Sequence, residues 1–271
     1  MTTHITFIGG GNMASAILGG LLRQGLRADQ LSVVEPFAPT RDKLLAQFGI
    51  HALAAADARL APSTLVVWAV KPQTFRDAAA AVRPHVADAL HLSVAAGIRS
   101  DSIARWLGTE RIVRSMPNTP ALVGKGITAL FARAAATAED RSTVDNVMAS
   151  TGEVLWVQQE SQLDAVTAIS GSGPAYVFYF MEAMTEAGLG MGLTREQAHR
   201  LAVGTFVGAS ELARAAQDPP EILRERVTSK GGTTFAAISA MEHANMKALF
   251  VRAIQAAEVR ARELGDEFGK D

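Results

Sequence analysis

The stretch FIGGGNMASAILGGLL, residues 7–22, runs from a short apolar, β-branched segment straight into a helical pattern. Ile8 ends the apolar run, and Gly9-Gly10-Gly11-Asn12-Met13-Ala14 spells G-x-G-x-x-A. Each position has a mechanical reason. Gly9 permits a tight turn, Gly11 leaves the backbone open to a pyrophosphate, and small Ala14 lets the helix pack on the strand. The start of the helix then offers unpaired N–H groups and a partial positive charge, a fixed anion site. A second apolar run follows and ends at Glu35, 21 positions after Ala14. Glycine-rich turns without ligands exist, but strand, glycines, helix and second strand in this order point to a dinucleotide.

The rest of the first half continues the alternation. Segments 4–9, 31–35, 65–70, 90–96, 111–116, 127–132 and 154–158 read as strands, with helices over 12–25, 72–83 and 138–150. Several strands are apolar on both faces, as strands of a covered parallel sheet must be. The expected fold is a doubly wound α/β Rossmann-type domain over residues 1–160. After Gln158 the strand signal stops, and residues 161–271 read as an all-α domain with helices over 174–188, 195–216 and 243–264. Thr194-Arg195-Glu196-Gln197 is a capping box, and Asp218-Pro219-Pro220-Glu221 predicts a helix capped by Asp218. Gly204 and Gly208, four apart, suit a closely packed helix pair. One stretch interrupts this half: TSKGGTTF, residues 228–235, sets two glycines and two hydroxyls where a new helix would begin.

A formal net charge of −1 gives no basic field, so neither nucleic acid nor an anionic membrane surface is an expected partner. The start MTTHITFIGG has no basic region followed by an apolar one, so no signal peptide is expected, and no apolar run approaches the ~20 residues of a membrane span. Zero cysteines exclude disulfides and thiol chemistry and fit a cytoplasmic protein. The six histidines form no ligand pair at helical spacing, so no metal is expected.

Ligands of open α/β sheets bind beyond the carboxyl ends of the strands. Three such ends carry distinctive residues besides the glycine loop: Ala69-Val70-Lys71-Pro72-Gln73, Val94-Ala95-Ala96-Gly97, and Met116-Pro117-Asn118-Thr119-Pro120. Small Ala95, Ala96 and Gly97 would leave room for a flat nicotinamide ring, and the prolines stiffen the loop presenting Asn118. Glu35 can accept hydrogen bonds from the adenosine ribose and would repel a 2′-phosphate, which favours NADH. Arg41 and Lys43 can reach a phosphate instead, so the choice between NADH and NADPH stays open.

Read together, FIGGGNMA, AVKPQ, SVAAG, MPNTPALVGKG, SGSGPAYVF and TSKGGTT resemble the pyrroline-5-carboxylate reductase family, in its order, from residue 7 to about 240. The resemblance implies an NADH- or NADPH-dependent reductase of the cyclic imine 1-pyrroline-5-carboxylate. It also implies a homodimer through the C-terminal helices, with a ring of dimers as a further assembly. In that family the loop matching Ser229–Thr234 holds the substrate, and the hydroxyl matching Thr234 contacts the ring nitrogen. The residues agree with this assignment: Gly231 and Gly232 admit a close ligand, and a helix starting near Thr233 directs N–H donors at a carboxylate held by Ser229 and the 231–233 backbone. Such a helix end is worth ~0.3–1 kcal/mol to an exposed carboxylate and up to ~2 when partly buried. Two departures stand out: Lys230 where many relatives have proline, and bulky Phe235 after the threonines. The segment Ser170–Tyr176 opens an almost wholly apolar helix, expected to be buried between helices or at a dimer seam.

Three other readings compete. A β-hydroxyacid dehydrogenase would need a lysine between Lys125 and Lys230, and the sequence has none. A reductase of another cyclic imine would use the same residues. A non-catalytic dinucleotide-binding module would leave GGTT and MPNTP unexplained.

Overall fold

The computed structural model describes residues 4–86 and 88–269. Two compact units divide it, one holding residues up to Gly171 together with those from Ala257 onward, the other holding Ser172–Ala256. The first unit opens with β1 (Ile5–Ile8), α1 (Asn12–Arg23), β2 (Leu31–Val34), α2 (Ala38–Phe48), β3 (Leu65–Trp68) and α3 (Pro72–Val82). It continues with β4 (Leu90–Ser93), α4 (Ser100–Leu107), β5 (Ile112–Met116), β6 (Gly126–Ala132), α5 (Ala138–Ala149), β7 (Gly152–Trp156) and a short α6 (Gln162–Val166).

The strands make one seven-stranded sheet in the order β2-β1-β3-β4-β5-β6-β7. Strand side chains alternate between faces, and here both faces are apolar. Ile5, Phe7, Leu65 and Val67 join Ile17 and Leu18 of α1 in one buried layer. Ile8, Val66 and Trp68 join Phe75 of α3 and Ile103 of α4 in the other. Each such side chain contributes ~1.5–3 kcal/mol on burial. The doubly wound α/β reading therefore holds, with one correction to an all-parallel sheet: β6 runs antiparallel to β5, pairing Ser115 with Leu130. The loop between them contains only the 3₁₀ turn Thr119–Val123. A parallel return needs a crossover of about a dozen residues or more, usually a helix, so the short loop sends the strand back.

The second unit is helical: α7 (Gly173–Gly190), α8 (Arg195–Ala215), α9 (Pro220–Arg226), α10 (Thr233–His243) and the first part of α11 (Met246–Phe268). The capping box forms as expected, Gln197 N–H donating to Thr194 Oγ1 at 3.2 Å and Thr194 N–H to Gln197 Oε1 at 3.0 Å. The cap at Asp218 does not form. Proline disfavours helical geometry in the residue before it, so Pro219 becomes the extended N-cap of α9 and Asp218 pairs with Arg226 at 2.6 Å. Helix packing within the unit centres on Gly188, where an added Cβ would lie 2.7 Å from Ala198 Cβ. No described atom comes within 4 Å of the corresponding positions at Gly204 and Gly208.

On α7, Phe180 and Tyr176 set their edges against Phe250, with ring centroids 5.4 and 5.8 Å apart. Phe178 and Tyr179 of the same helix are 63% and 69% exposed, so its expected burial is not met within a single chain. No helix among the described residues is long and apolar enough to cross a membrane.

Candidate functional site

In the first unit the site is built by the carboxyl ends of five neighbouring strands, beginning where β1 turns into α1. Gly9 has φ +94°, a conformation side chains rarely adopt, and a Cβ there would lie 2.5 Å from the Ala69 carbonyl oxygen at the end of β3. Ile8, Gly9 and Ala14 are buried, so turn, strand and helix are fixed to one another. Gly11 is the opposite case. It is exposed, it is the N-cap of α1 with φ −69°, and no described atom lies within 4 Å of where its Cβ would be. Asn12 and Met13 form the first turn, which carries neither an acid nor a side-chain cap. That is the open, uncapped helix end that an anion requires.

Glu35 stands just past β2 with both carboxylate oxygens engaged. Gly10 N–H donates to Oε2 at 2.8 Å, and Phe37 N–H donates to Oε1 at 2.9 Å. Arg41 Nη1 donates to the main-chain oxygens of Glu35 and Pro36 at 3.0 and 2.6 Å. Beyond β3, Ala69 and Val70 are half-buried, exposed Lys71 is the N-cap of α3, and Pro72 fills its first position, where its missing N–H costs nothing. Beyond β4, Ala95 is buried while Ala96 and Gly97 are half-buried. The space beside Gly97 is lined by Leu264 and Phe268 of α11, both 3.2 Å from an added Cβ.

Asn118, beyond β5, is buried and engaged with main chain. Its Nδ2 donates to Ser170 O at 3.1 Å, and its Oδ1 accepts from Ile127 N–H at 3.0 Å. The same junction explains Gly171, where a Cβ would meet Met116 Cε at 2.4 Å. Sequence reasoning missed the ionic cluster nearby. Arg114, buried in β5, reaches Glu160 at 2.5 Å, and Glu160 accepts from Ser100 N–H at 2.6 Å and Ser100 Oγ at 2.7 Å. Burial raises the pKa of Glu160, but Arg114 and Ser100 outweigh it and hold it below its ordinary value. Arg99 grips Asp164 through two bonds of 3.0 and 2.8 Å. The only trace of this cluster in the sequence is Arg114 itself, a cation in the middle of an apolar strand.

In the second unit, residues 229–232 form a tight turn closed by Gly232 N–H donating to Ser229 O at 3.0 Å. Gly231 sits at φ +74° in its third position. Gly232 is the N-cap of α10, with no side-chain cap, and Thr233 and Thr234 open the helix. A Cβ at Gly232 would stand 2.9 Å from Ser229 Oγ and 3.1 Å from Ser229 O, so a side chain there would have to push the serine aside. Thr234 is half-buried, while Ser229, Lys230, Thr233 and Phe235 are exposed. Gly231, Gly232, Thr233 and Thr234 thus form a compact set of hydroxyls and N–H groups at one helix end.

Comparison with known proteins adds what geometry alone does not. Residues 160–264 match the family model described as pyrroline-5-carboxylate reductase dimerisation. Residues 4–97 match that described as NADP oxidoreductase coenzyme F420-dependent. The pyrroline-5-carboxylate reductase of Pseudomonas aeruginosa is 42% identical over 271 residues, covering 99% of each chain. The structure of a pyrroline-5-carboxylate reductase from Coxiella burnetii superposes with a TM-score of 0.90 at 38% identity, over 97% of this chain and 99% of that one. The pyrroline carboxylate reductase of Plasmodium falciparum, solved with NADP bound, gives 0.86 at 27% identity, over 97% and 98%. With likeness of this order along the full length, the chain belongs to the pyrroline-5-carboxylate reductase family.

Proposed function

We propose that the protein reduces 1-pyrroline-5-carboxylate to L-proline with NADH or NADPH, the last step of proline biosynthesis. The observation that carries the reading is the Ser229–Thr234 turn, two glycines and two threonines at the uncapped start of α10, in a chain that matches family members end to end.

The nucleotide, when bound, supplies the hydride. The chain's own residues fit it: Gly11 leaves the approach to α1 open, and the uncapped first turn at Asn12 and Met13 presents N–H groups to the pyrophosphate. Ile8, Gly9 and Ala14 hold that turn, Glu35 faces the adenosine ribose, and Ala69–Pro72, Ala95–Gly97 and the Asn118 loop complete the binding surface. Asn118 serves by bracing its loop through Ser170 and Ile127. At the other end of the chemistry, Ser229 and the N–H groups of Gly231 and Thr233 hold the substrate carboxylate, and Gly232, its own N–H closing the turn on Ser229 O, lets the backbone come close. Thr234 donates its hydroxyl to the ring nitrogen. A bound nucleotide would deliver hydride to the C=N carbon, and the part of the chain is to hold the ring nitrogen, with Thr234 as its hydrogen-bond partner or as the relay for the proton it needs when it is not already protonated. A protonated or hydrogen-bonded imine is already an electrophile, so placing the two rings in contact supplies most of what is needed, up to ~7–11 kcal/mol in favourable cases. No lysine or histidine base is required.

The functional division follows the sequence: residues 1–160 bind the nucleotide, and 161–271 dimerise and bind substrate. The exposed apolar face of α7 supports a homodimer through the C-terminal helices, and rings of dimers are the further assembly we infer. The enzyme works in the cytoplasm, in keeping with the absence of cysteine.

The test is loss of 340-nm absorbance on mixing the protein with 1-pyrroline-5-carboxylate and NADH or NADPH, with proline identified as product. A folded, nucleotide-binding protein that oxidises neither cofactor would redirect the assignment to another cyclic imine, then to a binding module.

A further inference from the structure

We infer that the amino end of the sheet carries a second ligand site, a cavity that takes a small carboxylate with a short apolar tail. The cavity, about 190 Å³, is lined by Arg83, Val86, His91, Leu107, Gly108 and Thr109. Arg83 and Val86 stand between α3 and β4, His91 is the second residue of β4, and Leu107 closes α4 just before β5. All six therefore gather where β4 and β5 begin, at the end of the sheet opposite Ala95–Gly97 and the Asn118 loop. None of them belongs to the nucleotide loops.

The polar side chains of this cavity are donors that lack acceptors. His91 is only 2% exposed. Trp68 Nε1 can only donate, and it donates to His91 Nδ1 at 3.1 Å, which places the hydrogen of the neutral ring on Nε2. Thr109 Oγ1 accepts from Arg111 N–H at 3.2 Å, which leaves its own hydrogen to give. Arg83 lays its guanidinium against Gly108, where a Cβ would stand 2.7 Å from Nη2. Among the described residues, no acceptor meets the Arg83 guanidinium, His91 Nε2 or the Thr109 hydroxyl. Buried polar groups in folded proteins nearly always have partners, so an acceptor is missing here. The lining holds no carboxylate, and neighbouring Arg111 is already paired with Asp140 at 2.6 Å. A bound carboxylate meets all three needs, its planar edge suiting the guanidinium. Val86 and Leu107 are buried and give the cavity apolar walls, which favour a hydrocarbon tail over an inorganic anion. Cavities of about 150 Å³ take a ligand the size of benzene, so the volume suits an acid of a few carbons.

The experiment titrates the full chain with sodium butyrate, with inorganic phosphate and with sodium chloride at matched ionic strength. The imidazole ¹⁵N–¹H correlation of His91 reports on the cavity, and the fluorescence of Trp68, bonded to that ring, follows it. Butyrate should shift both signals saturably with a Kd on the order of 1 mM, the strength open to so small a ligand. Phosphate should bind at least about tenfold more weakly, and chloride should move neither signal. Arg83→Met keeps a stem beside Gly108 and removes the charge; it should weaken butyrate by about tenfold or more, the scale of one charged hydrogen bond, with Tm unchanged. Thr109→Val should weaken it less. Anions could also settle at the open starts of α1 and α10, but Gly11→Val and Thr234→Ala should leave the His91 response as in the wild type. That separates failure of this site from failure of the nucleotide or substrate assignments. No saturable shift at His91 means that the cavity holds water only and overturns the inference. So does a shift that chloride reproduces or that Arg83→Met leaves intact. Phosphate binding tighter than butyrate overturns the carboxylate assignment in favour of an inorganic oxyanion.

Discussion

Two residues carry the sharpest expectations. Thr234 is half-buried at the first turn of α10, and the proposed mechanism has its hydroxyl meet the ring nitrogen. Thr234→Ala should lower kcat by about 10²-fold, at the low end of what a positioned proton donor contributes, while nucleotide affinity stays within about twofold. Unchanged turnover would remove Thr234 from the mechanism. Gly11 has ordinary backbone geometry and empty space beside it, so Gly11→Val should fold with near-wild-type Tm. Its side chain would then occupy the pyrophosphate's approach, and NADH titration by fluorescence should show binding reduced by at least about 10²-fold, as a steric clash in a close-fitting site requires. Titration like the wild type would refute the loop assignment. The tight turn at Gly9 and the close packing of Ala14 were legible in the sequence because each is a local demand of backbone geometry. The fixing of Glu35 was not. Its partner Gly10 is 25 positions away, and no pattern in either segment announces that a main-chain N–H will meet a carboxylate. Asn118 was visible as a special residue, but its two bonds to Ser170 and Ile127 depend on tertiary contacts.

At the scale of elements, β3 and β4 bury a histidine that can report on the sheet. His91 accepts a hydrogen bond from Trp68 Nε1 at 3.1 Å, and burial, aided by Arg111, pushes its pKa down to about 4. The unfolded chain then binds more protons than the folded one between about pH 6.5 and 4. Stability from keeping His91 neutral is therefore fully present above pH 6.5 and lost as pH falls toward 4, about 3 kcal/mol in all at 1.36 kcal/mol per unit. Chemical denaturation of wild type and His91→Gln across this range should show the wild type losing more stability by that order; parallel curves would mean His91 is protonated in the fold. Strand and helix positions were legible from periodicity. The reversal of β6 was not read, although the brevity of the MPNTPALVGK loop contained it. The misplaced cap at Asp218 is likewise a matter of weighing neighbours: two consecutive prolines shift the start of α9, and an arginine eight residues on takes the carboxylate.

The whole molecule cannot be understood as a lone chain. Phe178 and Tyr179 lie 63% and 69% exposed on a helix that is apolar nearly all round, a cost that association removes. Phe178→Glu should shift sedimentation from dimer to monomer at micromolar concentration, since a buried unpaired charge at an interface costs several kcal/mol. A variant that sediments like the wild type would place the seam elsewhere. One further feature joins the scales. The last turns of α11 belong to the first unit, where Leu264 and Phe268 line Gly97. Chains are made from the N-terminus at about 5–20 residues per second and domains tend to fold as they emerge. Here the first unit, begun first, must wait for Leu264 and Phe268, far along the chain, to leave the ribosome before the wall at Gly97 can close. Until then a nascent chain carries its glycine turn without the finished wall at Gly97 beside it.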